Sequence, residues 1–203
     1  METIDKEAVK LDIILKAAQK KFAEFGLAKT TMNDIASEIG MGKASLYYYF
    51  SCKESLYEAV ISKEQDNFLQ EIQKIIKPNA NAVSILKVYS KKRLALFENY
   101  LNLAKLNGEG MSNCMPFVKK LYTEFGKKEI QLVESILEVG IQNSEFKISS
   151  TNEQSEFICT IMMGLRMAAK NKMTENQMTK EDYKALNSNM DKAIEMFICS
   201  ILK

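Results

Sequence analysis

Residues 30–50 read TTMNDIASEIGMGKASLYYYF, and the order of caps, apolar positions and glycines in this stretch decides the fold. Thr31 is placed to cap a short helix from Met32 to about Ile39, and Asp34, three residues on, completes a capping-box pattern. Gly40-Met41-Gly42 is a tight turn, and a second short helix spans about Lys43 to Phe50. Two short helices joined by a glycine turn have the spacing of a helix-turn-helix. Ile35, Ile39, Leu46 and Phe50 supply the buried faces, and Ala36 is small where the helices cross. This leaves Lys43, Ala44, Ser45, Tyr47 and Tyr48 toward the exposed side of the second helix. Lysine reaches guanine or phosphate, serine bonds a base edge or phosphate, alanine meets a thymine methyl, and tyrosine hydroxyls donate to phosphate.

The same helical period extends in both directions. Upstream, Ile14, Ala17, Ala18, Phe22 and Phe25 form the apolar stripe of a helix over about Asp5–Phe25, which Gly26 stops. Downstream, Ser51 is placed to cap a long helix over about Lys53–Ile76, closed off by Pro78. Longer helices are predicted at about 82–105, 116–143, 153–172 and 180–201. Asn107 to Gly110 reads as a loop with a short helix after it, and Ser144 to Asn152 as a polar connection. The chain therefore reads as all-α, with about nine helices in total. Residues 1–57 form one functional unit and 58–203 another, with the fourth helix belonging to both.

Composition narrows the function classes. In 203 residues, 28 basic side chains stand against 26 acidic ones, so the chain is neither polybasic nor an acidic tail. Residues 1–57 hold eight lysines and eight acids and no arginine, so bidentate arginine readout of guanine is unavailable there. There is no histidine, which removes Ser-His-Asp and Cys-His catalysis and every His-containing metal site. The four cysteines, at 52, 114, 159 and 199, form no CxxC pair. No metal or cofactor is expected. Sparse cysteine, a charged METIDKEAVK start and the lack of a long apolar run predict a cytoplasmic protein without a membrane span.

Residues 14–60, ILKAAQKKFAEFGLAKTTMNDIASEIGMGKASLYYYFSCKESLYEAV, resemble the DNA-binding domain of the TetR family of bacterial transcriptional regulators. The family pattern of F-x-x-x-G, T-T-x-x-x-I-A, a G-V-S-x-G-x-L-Y-x-x-F block and x-x-K-x-x-L is matched at Phe22 to Gly26, Thr30-Thr31, Ile35-Ala36, Gly40, Leu46-Tyr47, Phe50, Lys53 and Leu56. The resemblance implies an N-terminal three-helix DNA-binding domain, then a larger helical ligand-binding and dimerisation domain. It implies that Thr31, Tyr47, Tyr49 and Lys53 meet phosphates, while Lys43, Ala44 and Ser45 face base edges. Gly42 departs from the common serine, weakening the cap of the recognition helix, and Tyr49 departs from the common histidine.

The C-terminal part carries no catalytic constellation. Nine of the twelve methionines lie at position 111 or later, with aromatics at helical spacing. Methionine repacks around varied ligands, so an apolar pocket for a small-molecule effector is expected from Phe97, Tyr100, Met111, Met115, Phe117, Tyr122, Phe157, Met162 and Arg166, against simple core packing as the alternative. Arg166, one of two arginines, is read either as an interface salt bridge or as an anchor for an anionic group. Residues 153–170 and 181–202 are apolar around more than half their circumference and need partners on two sides. A homodimer interface is expected from Phe157, Ile161, Gly164, Leu165, Ala168, Met190, Ile194, Phe197 and Ile201.

The leading reading is a ligand-responsive regulator, a repressor, that binds a palindromic double-stranded DNA operator as a homodimer. The alternatives are an effector-independent DNA-binding protein, a helical protein-interaction module, and an enzyme working without histidine.

Overall fold

The computed structural model describes the backbone of residues 2–103, 111–171 and 179–203, with the side chains of 6–96, 98, 119–169 and 179–203. Eight helices occur among the described residues: α1 (Glu2–Lys29), α2 (Met32–Glu38), α3 (Lys43–Tyr49), α4 (Lys53–Gln73), α5 (Ala82–Leu103), α6 (Met111–Gln142), α7 (Thr151–Asn171) and α8 (Lys180–Ile201). The short helix expected after Gly110 is not separate, because the chain from Met111 is continuous with α6. Pro116 is therefore the sixth residue of α6, past the first-turn N–H groups that lack a partner, and the helix gives up one ladder bond there. The chain divides into two compact units, Met1–Glu64 with Glu98–Leu121, and Gln65–Phe97 with Tyr122–Lys203.

In the first unit, Ile14, Ala17, Ala18, Phe22 and Leu27 of α1 are buried with Met32, Ile35 and Ala36 of α2, Leu46 of α3, and Leu56, Tyr57, Val60 and Ile61 of α4. Phe22 and Tyr57 meet edge to face at 5.2 Å. Each fully buried Leu, Ile or Phe contributes about 1.5–3 kcal/mol relative to exposure, so this core holds two short helices, α2 and α3, that could not stand alone. Phe25 departs from the expected stripe: it lies on the outer side, 45% exposed.

Gly26 breaks α1 as expected, but the chain resumes helical turns to Lys29. Its φ of 77° and ψ of 166° are open only to glycine. Buried Thr30 fastens the break, its hydroxyl donating to the Gly26 carbonyl at 2.7 Å.

In the second unit, α7 packs along α8. The turn after α6 is tied to the start of α5: the Glu145 carboxylate accepts from Asn81 Nδ2 at 2.8 Å and from the Ala82 N–H at 2.9 Å. A carboxylate at that position complements the positive end of α5. The chain end closes on the same turn through a bridge between Phe146 and Leu202. Gly140 makes room for it, since a Cβ there would sit 2.1 Å from the Phe146 ring.

Candidate functional site

The site begins with the caps of two seven-residue helices. Thr31 Oγ1 accepts the Asp34 N–H at 3.2 Å, and the Asp34 carboxylate accepts the Thr31 N–H at 2.9 Å, so the predicted capping box is complete. The Thr31 hydroxyl also donates to Asp34 at 2.7 Å, and these bonds hold the Asp34 carboxyl below its ordinary range. At the other end of α2, Gly40 turns the chain with φ 62°, and the Met41 N–H returns to the Ala36 carbonyl at 2.9 Å. Helix α3 then starts at Gly42, which provides no side-chain cap.

Leu46, 0% exposed, anchors α3 to the core, while Ile39 and Phe50 are half-buried. Lys43, Ala44 and Ser45 are exposed in the first turn, and Tyr47 and Tyr48 are 43% and 78% exposed. An aromatic side chain with that exposure gains little from packing and is available to a partner. The Lys43 ammonium lies 5.8 Å from the centre of the Tyr47 ring. Tyr49 is half-buried, edge to face with Tyr48, and Lys10 of α1 stands 5.8 Å from its ring. Lys10 is a cation beside the recognition helix that sequence reading missed. Its 39-residue separation from Tyr49 leaves no local signal, although it is one turn before the first buried position of α1.

Lys53 begins α4, and its ammonium donates to the Ala28 carbonyl at 3.3 Å, tying α4 to the last turn of α1. An ammonium has three donors, so this bond leaves others for a phosphate. The bond expected from Ser51 at this helix start is replaced by a Cys52–Ser55 exchange. The Ser55 N–H points to Cys52 Sγ at 3.4 Å, and the Ser55 hydroxyl donates to the Cys52 carbonyl at 2.8 Å. Nearby, an open groove is lined by Lys21, Phe25, Lys29, Asp34, Ser37 and Glu38. Glu38 bridges both Lys20 and Lys21, and their hydrogen bonds lower its carboxyl to about 2. That pairing removes two of the unit's positive charges from the outward field, leaving Lys43 as the only charged group on α3.

In the second unit, the residues expected to line an effector pocket separate. The side chains of Phe97, Tyr100, Met111, Met115 and Phe117 lie outside the described residues. Met162 is buried, but Phe157 is 54% exposed and faces outward. Arg166 and Tyr122 engage each other: the guanidinium lies 4.8 Å from the ring centre and donates to the hydroxyl at 2.7 Å. Of the expected interface residues, Phe157, Gly164 and Ala168 are exposed on α7, and Ile161 and Leu165 are half-exposed. Met190, Ile194, Phe197 and Ile201 of α8 are instead buried within the chain's own core. The period of α8 showed two apolar sides without showing which faces inward, and the outward apolar residue is Met196, 73% exposed.

A buried polar cluster at the centre of this unit was also missed. Arg93 of α5 and Glu129 of α6 are 5% and 4% exposed. The guanidinium grips the carboxylate with both Nε and Nη2, the latter at 2.9 Å. Tyr89 donates its hydroxyl to Glu129 at 2.8 Å and lies 3.8 Å from Cys159 Sγ of α7. Phe68 of α4 and Phe125 of α6 close the surroundings, with the Arg93 guanidinium 4.7 Å from the Phe125 ring centre. The available signal was Arg93 standing on the same stripe as Leu86 and Tyr89. Among the described residues, no group of acidic, cysteine or histidine side chains could hold a metal ion.

A helix-turn-helix buried on one side and bearing lysine, serine and tyrosine on the other defines a DNA-binding regulator. Residues 14–60 match the model of the bacterial regulatory proteins of the tetR family. A solved transcriptional regulator from Cytophaga hutchinsonii ATCC 33406 is 43% identical, with a TM-score of 0.85, over 96% of this chain and 99% of that one. The chain belongs to the TetR family of bacterial transcriptional regulators. The fatty acid metabolism regulator protein of Bacillus subtilis (strain 168) is 25% identical over 134 residues, 66% of this chain and 69% of that protein. SmeT, the repressor of a Stenotrophomonas maltophilia multidrug efflux pump, solved as a triclosan complex, shares the fold at 15% identity and a TM-score of 0.67 over 96% of this chain and 92% of its own. These relatives are transcriptional regulators, not enzymes. Among the described residues no helix is long and apolar enough to cross a membrane.

Proposed function

We propose that this regulator is a homodimeric, ligand-responsive repressor that binds a palindromic operator in the cytoplasm. The observation that carries the DNA reading is α3, where Lys43, Ala44, Ser45, Tyr47 and Tyr48 are exposed over a single buried anchor, Leu46. Within residues 1–57, Lys43, Ala44 and Ser45 face base edges, while Thr31, Tyr47, Tyr48, Tyr49 and Lys53 hold phosphates. Without arginine on α3, one copy reads too little sequence to be selective, so two copies read two half-sites about one helical turn apart.

Dimerisation is supported by the apolar residues that α7 leaves outward. Phe157, Met163 and Met167 are each more than half exposed, and Gly164 and Ala168 between them permit close helix approach. Ligand response is supported by SmeT, which shares the fold and has been solved with triclosan bound. A ligand that prefers one arrangement of the second unit by about 1–3 kcal/mol changes operator affinity about 5–150-fold. Helix α4 contributes residues to both units, and the shift is carried along it.

The test selects bound duplexes from a random pool and measures binding to the winner, to a scrambled duplex and to a single half-site by fluorescence anisotropy. A palindromic winner bound far more tightly than the other two is expected. Equal binding to selected and scrambled duplexes defeats the DNA reading. The repressor assignment is checked with a reporter placed behind the selected sequence.

A further inference from the structure

Three further polar atoms accompany the buried cluster of the second unit. Gln65 Nε2 of α4, Ser90 Oγ of α5 and Ser155 Oγ of α7 are buried and make no hydrogen bond within the protein. Their residues are 5%, 2% and 0% exposed. A buried polar atom without a bond is costly, and native proteins keep few of them. Three in one unit, on three helices, point to one recurring need.

Helical register places them beside the cluster. Gln65 is three residues before Phe68, whose ring lies 6.0 Å from the Tyr89 ring. Ser90 follows Tyr89 directly and stands three residues before Arg93. Ser155 is one turn before Cys159, which meets the Tyr89 hydroxyl. Each atom is thus within one helical turn of a residue in the Phe68–Tyr89–Cys159–Arg93–Glu129 group.

The chemistry of the three atoms selects the occupant. An amide nitrogen only donates, and the two hydroxyls have protons to give. Acceptor oxygens therefore suit all three, and Gln65 Nε2 can take nothing else. The charge of the site selects further. Arg93 and Glu129 already pair with each other in a buried setting beside the Phe125 ring. A carboxylate entering there would add a buried charge without a counterion, which is far more costly than an uncharged carbonyl.

We propose that this cluster is the effector site and that it takes an uncharged, mainly apolar molecule carrying a carbonyl oxygen, such as a ketone or ester, held by Gln65, Ser90 and Ser155 against the Tyr89, Phe68 and Phe125 rings. The assignment rests on the ligand-responsive reading above and names the ligand class. It also moves the site away from Tyr122 and Arg166, which bond to each other.

The probes are 2-octanone and methyl heptanoate, compared with sodium octanoate and cyclooctane, in calorimetric titrations of the full-length protein. The ketone and ester are expected to bind at least tenfold more tightly than octanoate and cyclooctane. Gln65→Leu and Ser155→Ala are each expected to weaken 2-octanone by about three- to tenfold, the value of one hydrogen bond. Both variants remove an unbonded buried polar atom, so they should melt at or above the wild-type temperature, which guards against misfolding. Octanoate binding as tightly as the ketone, unchanged ketone affinity in both variants, or no binding by any probe each overturns the proposal. Parallel operator titrations separate it from the broader reading. Ketone binding that depends on Ser155 but leaves operator affinity unchanged upholds the site and defeats ligand response. A compound that shifts operator affinity equally in wild type and both variants upholds ligand response and overturns this site.

Discussion

Two titratable side chains show opposite consequences of their surroundings. Burial pushes the Cys159 thiol from its ordinary 9.0 up to about 12, and the charge of Glu129 adds to the effect. A raised thiol leaves far less thiolate at a given pH, and the thiolate is the reactive form. In the folded protein Cys159 should therefore resist iodoacetamide at pH 8 for far longer than exposed Cys52 and Cys199, as read site by site by mass spectrometry. Comparable labelling rates at the three sites would contradict the raised thiol of half-buried Cys159. Glu38 moves the other way, from 4.5 to about 2, because Lys20 and Lys21 hydrogen-bond its charged form. A depressed carboxyl contributes stability that is fully present above its unfolded pKa and is lost as pH falls through the folded one. The melting temperature of wild type should exceed that of Glu38→Gln above pH 4.5, and the gap should close between pH 4.5 and 2. Because Lys20 is 65% exposed, the gap should be small and should shrink in high salt. A gap that persists at pH 2 would show that the glutamate acts through packing rather than charge.

The elements add what single residues do not show. Gly42 caps α3 with extended backbone, φ −65° and ψ 140°, which any residue adopts, and a Cβ there would meet only Ser45 Oγ at 3.9 Å. Gly42→Ser therefore fits without strain, supplies the absent cap and reduces unfolded-chain freedom. It should stabilise the protein by about 0.5–1 kcal/mol in urea denaturation. Such local features were legible in the sequence. The Thr31–Asp34 box, the Gly26 break and the Gly40 turn involve partners within five residues, and all three appear where expected. What joins elements was not legible. Arg93 and Glu129 are separated by 36 positions, and a charge on an apolar stripe does not announce its partner. Breaking this pair should be severe. Arg93→Met strands the Glu129 carboxylate and should cost about 3–5 kcal/mol, while Arg93→Met with Glu129→Leu removes both charges and should recover most of it. A double variant no more stable than the single one would show that the side chains' shapes, not their charges, hold α5 to α6.

At the scale of the whole molecule, the unanswered demand is the outward face of α7. In the protomer, α8 spends Met190, Ile194, Phe197 and Ile201 on its own core. The apolar surface left for a second copy is therefore Phe157, Met163 and Met167 of α7 with Met196 of α8, each more than half exposed. The choice of probe follows from that division. A charge at Phe197, 3% exposed, would enter the core and unfold the chain, so it could not test assembly. A charge at Phe157 or Met167 leaves the protomer's core intact. In a two-fold interface each substitution occurs twice, so a single Phe157→Glu or Met167→Glu buries two like charges if the proposed dimer forms. Both variants should keep the wild-type helical circular dichroism, elute as monomers in light scattering at micromolar concentration, and lose operator affinity by at least about a hundredfold, since about 2.7 kcal/mol is a small part of what a second half-site supplies. Their affinity for an isolated half-site duplex should be unchanged, because α3 is untouched. A wild type that is itself monomeric at that concentration, or variants that remain dimeric, would remove α7 from the interface and with it the reason for reading the operator as a palindrome.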